Sequence, residues 1–180
     1  MVFRVSHDYA TDFELYNFND DIKAELENTL VVVNEIIRRS GIKQKPKFYI
    51  LGGAAFALYG LNNSSTYDID VANRLCENVR ELVSDFISDS ASEVVLLGEG
   101  YKDRAVQYMK ELECIDVYLV SKEDLVLSKL LAGRRKDYKI LVNSGILKED
   151  VVSRAAHILH TEYNSAKYDT LLQLLHSVAV

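Results

Sequence analysis

The sequence predicts an α+β fold: a small mixed β-sheet flanked by helices, followed by a C-terminal helical extension. Two short and mainly apolar segments, 48–51 and 114–120, have the length of buried strands. Other segments repeat apolar residues at intervals of three and four, which is typical of amphipathic helices, and this pattern continues from Tyr138 onward. Because no Pro-, Gly- or Ser-rich linker divides the chain, we expect a core over residues 1–137 and helices over 138–180 packed on or beside it.

Composition and charge narrow the class of protein. The 180 residues are 48% hydrophobic and 27% charged, which suffices for a packed core and argues against disorder. The net charge of −6, without a basic block, argues against broad binding of nucleic acid but leaves room for a local basic site.

Cellular location is predicted from the apolar segments and the cysteines. Neither a secretion signal nor a membrane-spanning run is evident, so we expect a cytoplasmic protein without membrane partners. Cys76 and Cys114 are expected to be small buried side chains in a reducing compartment.

The first elements lead to the central strand. Residues 1–18 show no clear period and are predicted as an irregular or strand-like lead-in. A helix is predicted from Asn19 to Gly41, because apolar side chains recur at helical spacing along it: Ile22, Leu26, Leu30, Val33 and Ile37. A strand follows over 48–51, and the helix formers of 54–59 predict a short helix that ends at Gly60.

The middle of the chain is predicted to alternate strands and helices. After a strand at 68–71, we expect an amphipathic helix over 77–87 and a strand over 94–97. Residues 104–109 are predicted to pair, as in a hairpin, with a strand over 114–120. Ser121, with Asp124 three residues later, forms a capping-box-like start for a helix that extends to about Leu131.

The first candidate site combines a glycine pair with an acidic pair. Gly52 and Gly53 follow a strand and precede a short helix, where backbone N–H groups can bind phosphate. Asp68 and Asp70 are two residues apart on a strand, so both side chains are expected on one face, as hard oxygen ligands for Mg²⁺ or Mn²⁺. Each pattern alone is weak, since Gly-Gly can be a simple turn and the aspartates can be solvated strand-end residues.

Two downstream residues strengthen this candidate. Asp116 lies between Ile115 and Val117 in an apolar strand, where an unpaired carboxylate is costly to bury. A site with two metal ions about 3.5–4 Å apart needs several nearby carboxylates, so Asp116 is predicted to complete the set. Lys129 is predicted to add a positive charge near the phosphates.

Histidines and tyrosines provide weaker signals. His157 and His160 have a spacing that can bind metal, but solvated helical histidines are commoner and no further ligand lies nearby in the sequence. Four tyrosines lie near the candidate site, where stacking on a nucleobase and packing at the edge of the core are equally compatible interpretations. They are Tyr59, Tyr67, Tyr101 and Tyr118.

The segment 48–137 resembles the minimal nucleotidyltransferase fold of the DNA polymerase β-like superfamily. It is most similar to the AbiEii-type toxin nucleotidyltransferases and their bacterial relatives. The resemblance includes the helical segment DLVLSKLLAGRRKDYKI, in which those relatives carry a Lys and an Arg-x-x-Asp-type cluster. The matching residues are Gly52, Gly53, Thr66, Asp68, Asp70, Asp116, Lys129, Arg134 and Asp137.

The resemblance implies a metal-dependent nucleotidyltransferase. The three aspartates would hold Mg²⁺ (or Mn²⁺), and a nucleoside triphosphate (NTP) such as ATP would contact the glycine turn, Thr66, Lys129 and Arg134. A nucleoside monophosphate would pass to a hydroxyl group of RNA, such as a tRNA, or of a protein. The resemblance also implies the toxin of a toxin–antitoxin or phage-defence pair, with an antitoxin as a partner.

One departure from the family pattern motivates a second hypothesis. Many relatives carry a basic residue just before the Ser/Thr of the acidic motif, where this chain has Ser64 and Ser65. The alternative is therefore a catalytically weak protein of the same fold that acts in binding or regulation. Asp137 is likewise open to two interpretations, a catalytic role or a structural pairing with Arg134 or Arg135.

Overall fold

The computed structural model describes residues 8–61 and 68–163, together with Thr170, Gln173, Leu175 and Ser177. In the first helix, side chains are described from Asp20 onward. The elements in chain order are α1 (Asp8–Ser40), β1 (Lys47–Ile50), α2 (Gly52–Leu58), β2 (Ile69–Asp70), α3 (Glu77–Val83), β3 (Ile87–Ser88), a 3-10 turn (Ser90–Glu93), α4 (Tyr101–Arg104), β4 (Val106–Tyr108), β5 (Asp116–Leu119), α5 (Lys122–Ala132), α6 (Arg135–Asn143) and α7 (Glu149–Glu162). The predicted α+β fold is confirmed.

Helix α1 follows the predicted pattern but begins earlier. Its five predicted core side chains are at most 2% exposed, and Gly41, with φ +74°, ends it. The helix begins at Asp8 rather than at Asn19, so the predicted irregular lead-in is wrong for residues 8–18. That segment contains no Gly or Pro, the two residues that most oppose a helix. Residues 1–7 lie outside the described part of the chain.

The sheet is built around β1. Parallel pairing places β1 beside β5, and β4 lies antiparallel on the other side of β5, as the predicted hairpin requires. Strands β2 and β3 form a separate parallel pair. An antiparallel bridge between Ile50 and Val71 joins β2 to β1. The strands therefore follow each other in space as β3, β2, β1, β5 and β4.

The two faces of this sheet differ in chemistry. The buried face carries Phe48, Ile50, Val71, Val117 and Leu119, each at most 1% exposed. Helix α1 covers it, since the Tyr108 hydroxyl donates to Glu27 and the Cys114 N–H donates to Asn34 Oδ1 at 2.9 Å. Alternation along the strands places the opposite set on what we call the polar face: Lys47, Tyr49, Asp70, Asp116 and Tyr118.

Helix α5 begins at the predicted cap. The Asp124 N–H donates to Ser121 Oγ at 3.1 Å, and the Ser121 hydroxyl donates to Asp124 Oδ2 at 2.7 Å. These bonds satisfy an N–H group that the helix itself leaves without a partner. Gly133, with φ +65°, ends the helix in a left-handed C-cap.

An ion-pair cluster centred on Arg104 ties α4 to α5 and α7. The guanidinium donates to both carboxylate oxygens of Asp124, at 2.9 and 2.8 Å, and also to Glu162. Glu162 additionally accepts the Gly100 N–H at 3.1 Å. Because the Asp124 side chain is fully buried, the arginine supplies the partner that its charge needs.

Two elements in the middle of the chain differ from the prediction. The helix predicted over 77–87 ends at Val83, and Ile87 lies instead in β3, where it pairs with Ile69. The strand predicted over 94–97 is absent; Val94 and Leu96 are 80% and 64% exposed in an irregular segment. A strand needs a neighbouring strand as well as apolar residues, and here no described strand pairs with the segment.

The cysteine prediction is wrong in part. Cys76 occupies the N-cap position of α3 and is exposed, because the end of that helix faces solvent, whereas Cys114 is half-buried. Both are free thiols. Among the described helices, none has the length and apolar character needed to cross a membrane.

Candidate functional site

The turn between β1 and α2 depends on glycine. Gly52 has φ +65°, a left-handed conformation that other L-residues rarely adopt. Leu51 takes the N-cap position of α2 with extended backbone and no side-chain capping bond, and the first turn contains no acidic residue. The positive end of α2 therefore has no carboxylate from its own first turn.

Asp70 lies directly against this turn. A Cβ atom built on Gly52 would lie 3.8 Å from Asp70 Oδ2. The Leu51 N–H donates to the Asp70 carbonyl oxygen at 3.0 Å, which fixes β2 beside the end of β1. Ile69 and Val71 are buried, so alternation turns the Asp70 side chain to the polar face, as predicted. The structure thus brings together the glycine turn and one of the predicted carboxylates.

The surroundings of Asp70 have opposing effects on its pKa. Burial raises the pKa of Asp70 above its ordinary value, the negative charge of Asp68 raises it further, and Lys129 opposes both effects. Asp68 precedes β2 and is exposed. Two neighbouring carboxylates, one of them half-buried, repel each other when both are ionised, and a bound cation would relieve that repulsion.

Lys129 is held in place by a buried carboxylate. Its ammonium group donates to Asp137 Oδ1 at 3.1 Å, and the Asp137 side chain is fully buried. Arg134, which is 57% exposed, donates to the same carboxylate at 2.6 and 3.3 Å. Burial raises the pKa of Asp137, but the hydrogen bonds from Arg134 and Lys129 outweigh it and hold the pKa below its ordinary value. The pairing of Asp137 with Arg134, one of the two predicted interpretations, is present.

Asp116 lies at the opposite end of β1 from Asp70. It pairs with Lys47 at the start of β1, whereas Asp70 pairs beside Leu51, just past its end. At about 3.3 Å per residue, these positions are about 13 Å apart along the strand. The predicted convergence of three aspartates is therefore not seen, because the register of β5 on β1 separates them. Asp116 is instead 3.5 Å from Lys45 Nζ, which supplies the partner that its partial burial requires.

The other predicted residues lie either outside the described part of the chain or on α7. Thr66 lies within 62–67, outside the described residues, as do Ser64, Ser65 and Tyr67. His157 and His160 are exposed on α7. Among the described residues, no group of three or more His, Cys, Asp or Glu side chains is arranged to hold a metal ion.

Two contributions to this region are not evident from the sequence pattern. One is the anchoring of Lys129 by Asp137, since residues on two successive helices share no periodic signature. The other is Tyr49, which is nearly buried on the polar face and stacks on Tyr118 with ring centroids 4.9 Å apart. Alternation with Phe48 and Ile50 places Tyr49 on that face, but only the pairing of β1 with β5 reveals its neighbour.

Comparison with known families identifies the family of this chain. A model of a family described as "Nucleotidyltransferase of unknown function (DUF6036)" matches residues 28–173, which is most of the chain. The chain therefore belongs to this family of nucleotidyltransferases. No curated protein and no solved structure is significantly similar to it. The closer resemblance to AbiEii-type toxins stays a prediction.

Proposed function

We propose that this nucleotidyltransferase transfers a nucleoside monophosphate from an NTP to a hydroxyl group of an RNA or protein acceptor. The observation that carries the proposal is the contact between Gly52 and Asp70, with Asp68 and Lys129 close enough to shift the pKa of that carboxyl. A glycine turn, two carboxylates and a lysine are the groups needed to bind a triphosphate together with a cation. They come from three separate segments of the chain, and we propose that the site lies at the end of β1, where Gly52 and Asp70 are in contact.

The donor set fits Mg²⁺ or Mn²⁺. Magnesium is commonly held by one or two protein carboxylates, with substrate phosphates and water completing its six ligands, so Asp68 and Asp70 suffice for one ion. Burial, and after it the negative charge of Asp68, raise the pKa of Asp70, and a divalent cation would offset both effects by favouring the ionised carboxylate. When bound, the ion would neutralise charge on the transferring phosphate. We place Asp116 outside this set, because the register separates it from Asp70.

The other residues bind and position the triphosphate. Without a side chain at Gly52, a phosphate oxygen can approach the backbone at the start of α2. Lys129 is close enough to lower the pKa of Asp70 and so can offset charge on a bound phosphate, and its bond to Asp137 fixes the end of its flexible side chain. Arg134 is largely exposed beside the same carboxylate and can contact a phosphate from the outer side.

The reaction is one displacement at phosphorus. The acceptor oxygen forms a bond to the α-phosphorus and loses its proton to solvent. The bond between the α-phosphorus and the bridging oxygen of the β-phosphate breaks, and its electron pair leaves with pyrophosphate. The protein contributes mainly position and charge, as is general for phosphoryl transfer.

The test is label transfer from NTPs labelled at the α-phosphate, with Mg²⁺ and a mixture of cellular RNA and protein. Replacing a residue that only orients the ligands of a metal typically costs about 10- to 100-fold in activity. Asp70→Asn replaces a proposed ligand itself, so it should reduce transfer by more than about 100-fold. Asp150→Asn, an exposed aspartate on α7, is the matched control and should keep wild-type activity. NTPs labelled at the γ-phosphate should leave no label on the acceptor. Equal transfer by Asp70→Asn and wild type would contradict the proposal.

From the predicted resemblance to AbiEii-type toxins, we also propose a toxin role for this reaction, with an antitoxin as partner. Induced expression of the wild-type chain should then arrest bacterial growth, and Asp70→Asn should not. Co-expression of a neighbouring antitoxin gene should restore growth. If the variant arrested growth as strongly as wild type, toxicity would be independent of nucleotidyl transfer.

A further inference from the structure

A cleft of about 680 Å³ opens on the polar face of the sheet, beside the proposed catalytic end. The side chains that matter here are Lys47, Tyr49, Arg74, Glu93, Tyr101 and Lys102. Ala72, which also lines it, lies two residues after Asp70 and donates its N–H to the Tyr49 carbonyl oxygen at 2.8 Å. At about 3.3 Å per residue, the cleft therefore begins about 7 Å from Asp70 and extends toward Lys47.

Two tyrosine rings, Tyr49 and Tyr101, line this cleft, and a third, Tyr118, stacks on Tyr49. Tyr49 and Tyr118 are nearly parallel, at 13°, and Tyr101 meets Tyr49 edge-on with centroids 5.7 Å apart. Tyr49 is only 8% exposed, so its ring is fixed by its neighbours, whereas Tyr101 on α4 is half-buried and offers free surface. A preordered aromatic surface of this kind suits a planar nucleobase. Any of the bases can stack on it, so such binding does not depend on the nucleotide sequence.

The cleft is also locally basic in an acidic chain. Among the residues that line it, Lys47, Arg74 and Lys102 are exposed at the rim and Glu93 is the one carboxylate. Asp116, which lies opposite Lys47 on the polar face, is 3.5 Å from Lys45 Nζ. Within the described part of the chain, none of the three cations forms an ion pair. The ammonium group of Lys102 lies 5.9 Å from the Tyr49 ring and 5.8 Å from the Tyr101 ring, within cation–π distance of both.

This charge distribution discriminates between the two substrates of the reaction. The donor NTP carries all its phosphates at the Gly52 and Lys129 end, and its nucleoside is uncharged. A cleft for the donor nucleoside alone would therefore not need three cations. A hydroxyl group on a protein would need neither the cations nor the aromatic surface. Stacking surface and cations together fit a ligand with both bases and further phosphates.

We propose that this cleft binds the single-stranded end of a nucleic-acid acceptor, which narrows and rests on the function proposed above. The terminal base stacks on Tyr101, and Lys47, Arg74 and Lys102 bind the phosphates that follow. The terminal hydroxyl group then points along the polar face toward Asp70, which lies about 7 Å from the start of the cleft.

Binding of a fluorescently labelled single-stranded RNA oligonucleotide, measured by anisotropy without NTP or metal, tests the cleft apart from the reaction. Tyr101→Ala removes one stacking contact, so its Kd for the RNA should rise by about 5- to 150-fold. Tyr101→Phe keeps the ring and should bind like wild type. Arg74→Ala and Lys102→Ala should each lower the slope of log K against log salt by about 0.7. Lys148→Ala, an exposed lysine at the start of α7, is the control and should change neither quantity.

The outcomes separate this inference from the function on which it rests. If RNA binding depends on the cleft but no label is transferred, the cleft proposal stands and the proposed reaction fails. If label is transferred to protein and the cleft variants transfer as well as wild type, the reaction stands and the nucleic-acid cleft is overturned. Unchanged RNA affinity and salt slope in the exposed variants Arg74→Ala and Lys102→Ala would also overturn it, and these positions leave the core intact should Tyr101→Ala unfold.

Discussion

Replacing Asp137 by asparagine should destabilise the chain at neutral pH, by an amount that follows from the exposure of its two partners. The substitution keeps the shape of the side chain but removes the charge that Lys129 and Arg134 share. Arg134 is 57% exposed, so its share is that of a surface pair, about 0–1 kcal/mol. Lys129 is 14% exposed and Asp137 is fully buried, so breaking that pair should cost about 3 kcal/mol.

Urea unfolding at pH 7 measures this cost directly. A loss of about 3 kcal/mol corresponds to a fall in Tm of roughly 6–12 °C for a chain of this size. Asp150→Asn, which breaks an exposed pair with Arg154 one helical turn away, should cost less than about 1 kcal/mol and serves as the control. A loss below about 1 kcal/mol in Asp137→Asn would refute the role given to this carboxylate.

Acid provides a second check on the same reasoning. The pKa of Asp137 is lower in the folded chain than its ordinary value, so the stabilisation it contributes is present above about pH 4. It is lost as the pH falls through the lowered pKa, where the folded carboxylate takes up its proton. The difference in stability between wild type and Asp137→Asn should therefore shrink as the pH falls below about 4. A difference that stays constant through this range would show that packing, rather than charge, explains the loss.

Three further predictions follow from the turn, the cap and the distant aspartate. Gly52→Ala should cost roughly 1–2 kcal/mol because of its positive φ and should also reduce label transfer, whereas Gly41→Ala, with similar φ but nothing within 4 Å, should lose stability alone. Ser121→Ala should lower the free energy of unfolding by about 1 kcal/mol through loss of the α5 cap, measured in urea. Asp116→Asn should reduce label transfer far less than Asp70→Asn. Equal losses would show that Asp116 belongs to the metal site.

Features that depend on neighbouring residues in the chain could be predicted from the sequence. The buried stripe of α1, the start of α5 at Ser121 and the paired strands β4 and β5 each follow from a local pattern. The failures depend on contacts between distant segments. The segment 94–97 has the composition of a strand but no partner, and Ile87 changes from helix to strand because Ile69 lies beside it.

The same distinction between local patterns and distant contacts applies to the candidate site. The association of Gly52 with Asp70 follows from two short motifs, each of which marks the end of a strand. The position of Asp116 depends on the register of β5 against β1, which spacing along the chain does not encode. The attachment of Lys129 to Asp137 depends on the turn between α5 and α6, so only the folded chain reveals it.

The bond network of Arg104 sets a lower limit on how far this chain can be shortened. Arg104 ends the same single-turn helix, α4, that begins with Tyr101, and its guanidinium is shared between Asp124 and Glu162. Glu162 is the last residue of α7 and also accepts the Gly100 N–H. A version of the chain that stops before Glu162 would leave Arg104 with one carboxylate and Gly100 without this acceptor, so the segment bearing Tyr101 would lose two of its attachments. We therefore expect a shortened chain to keep the aromatic cleft in place only if it extends through the end of α7.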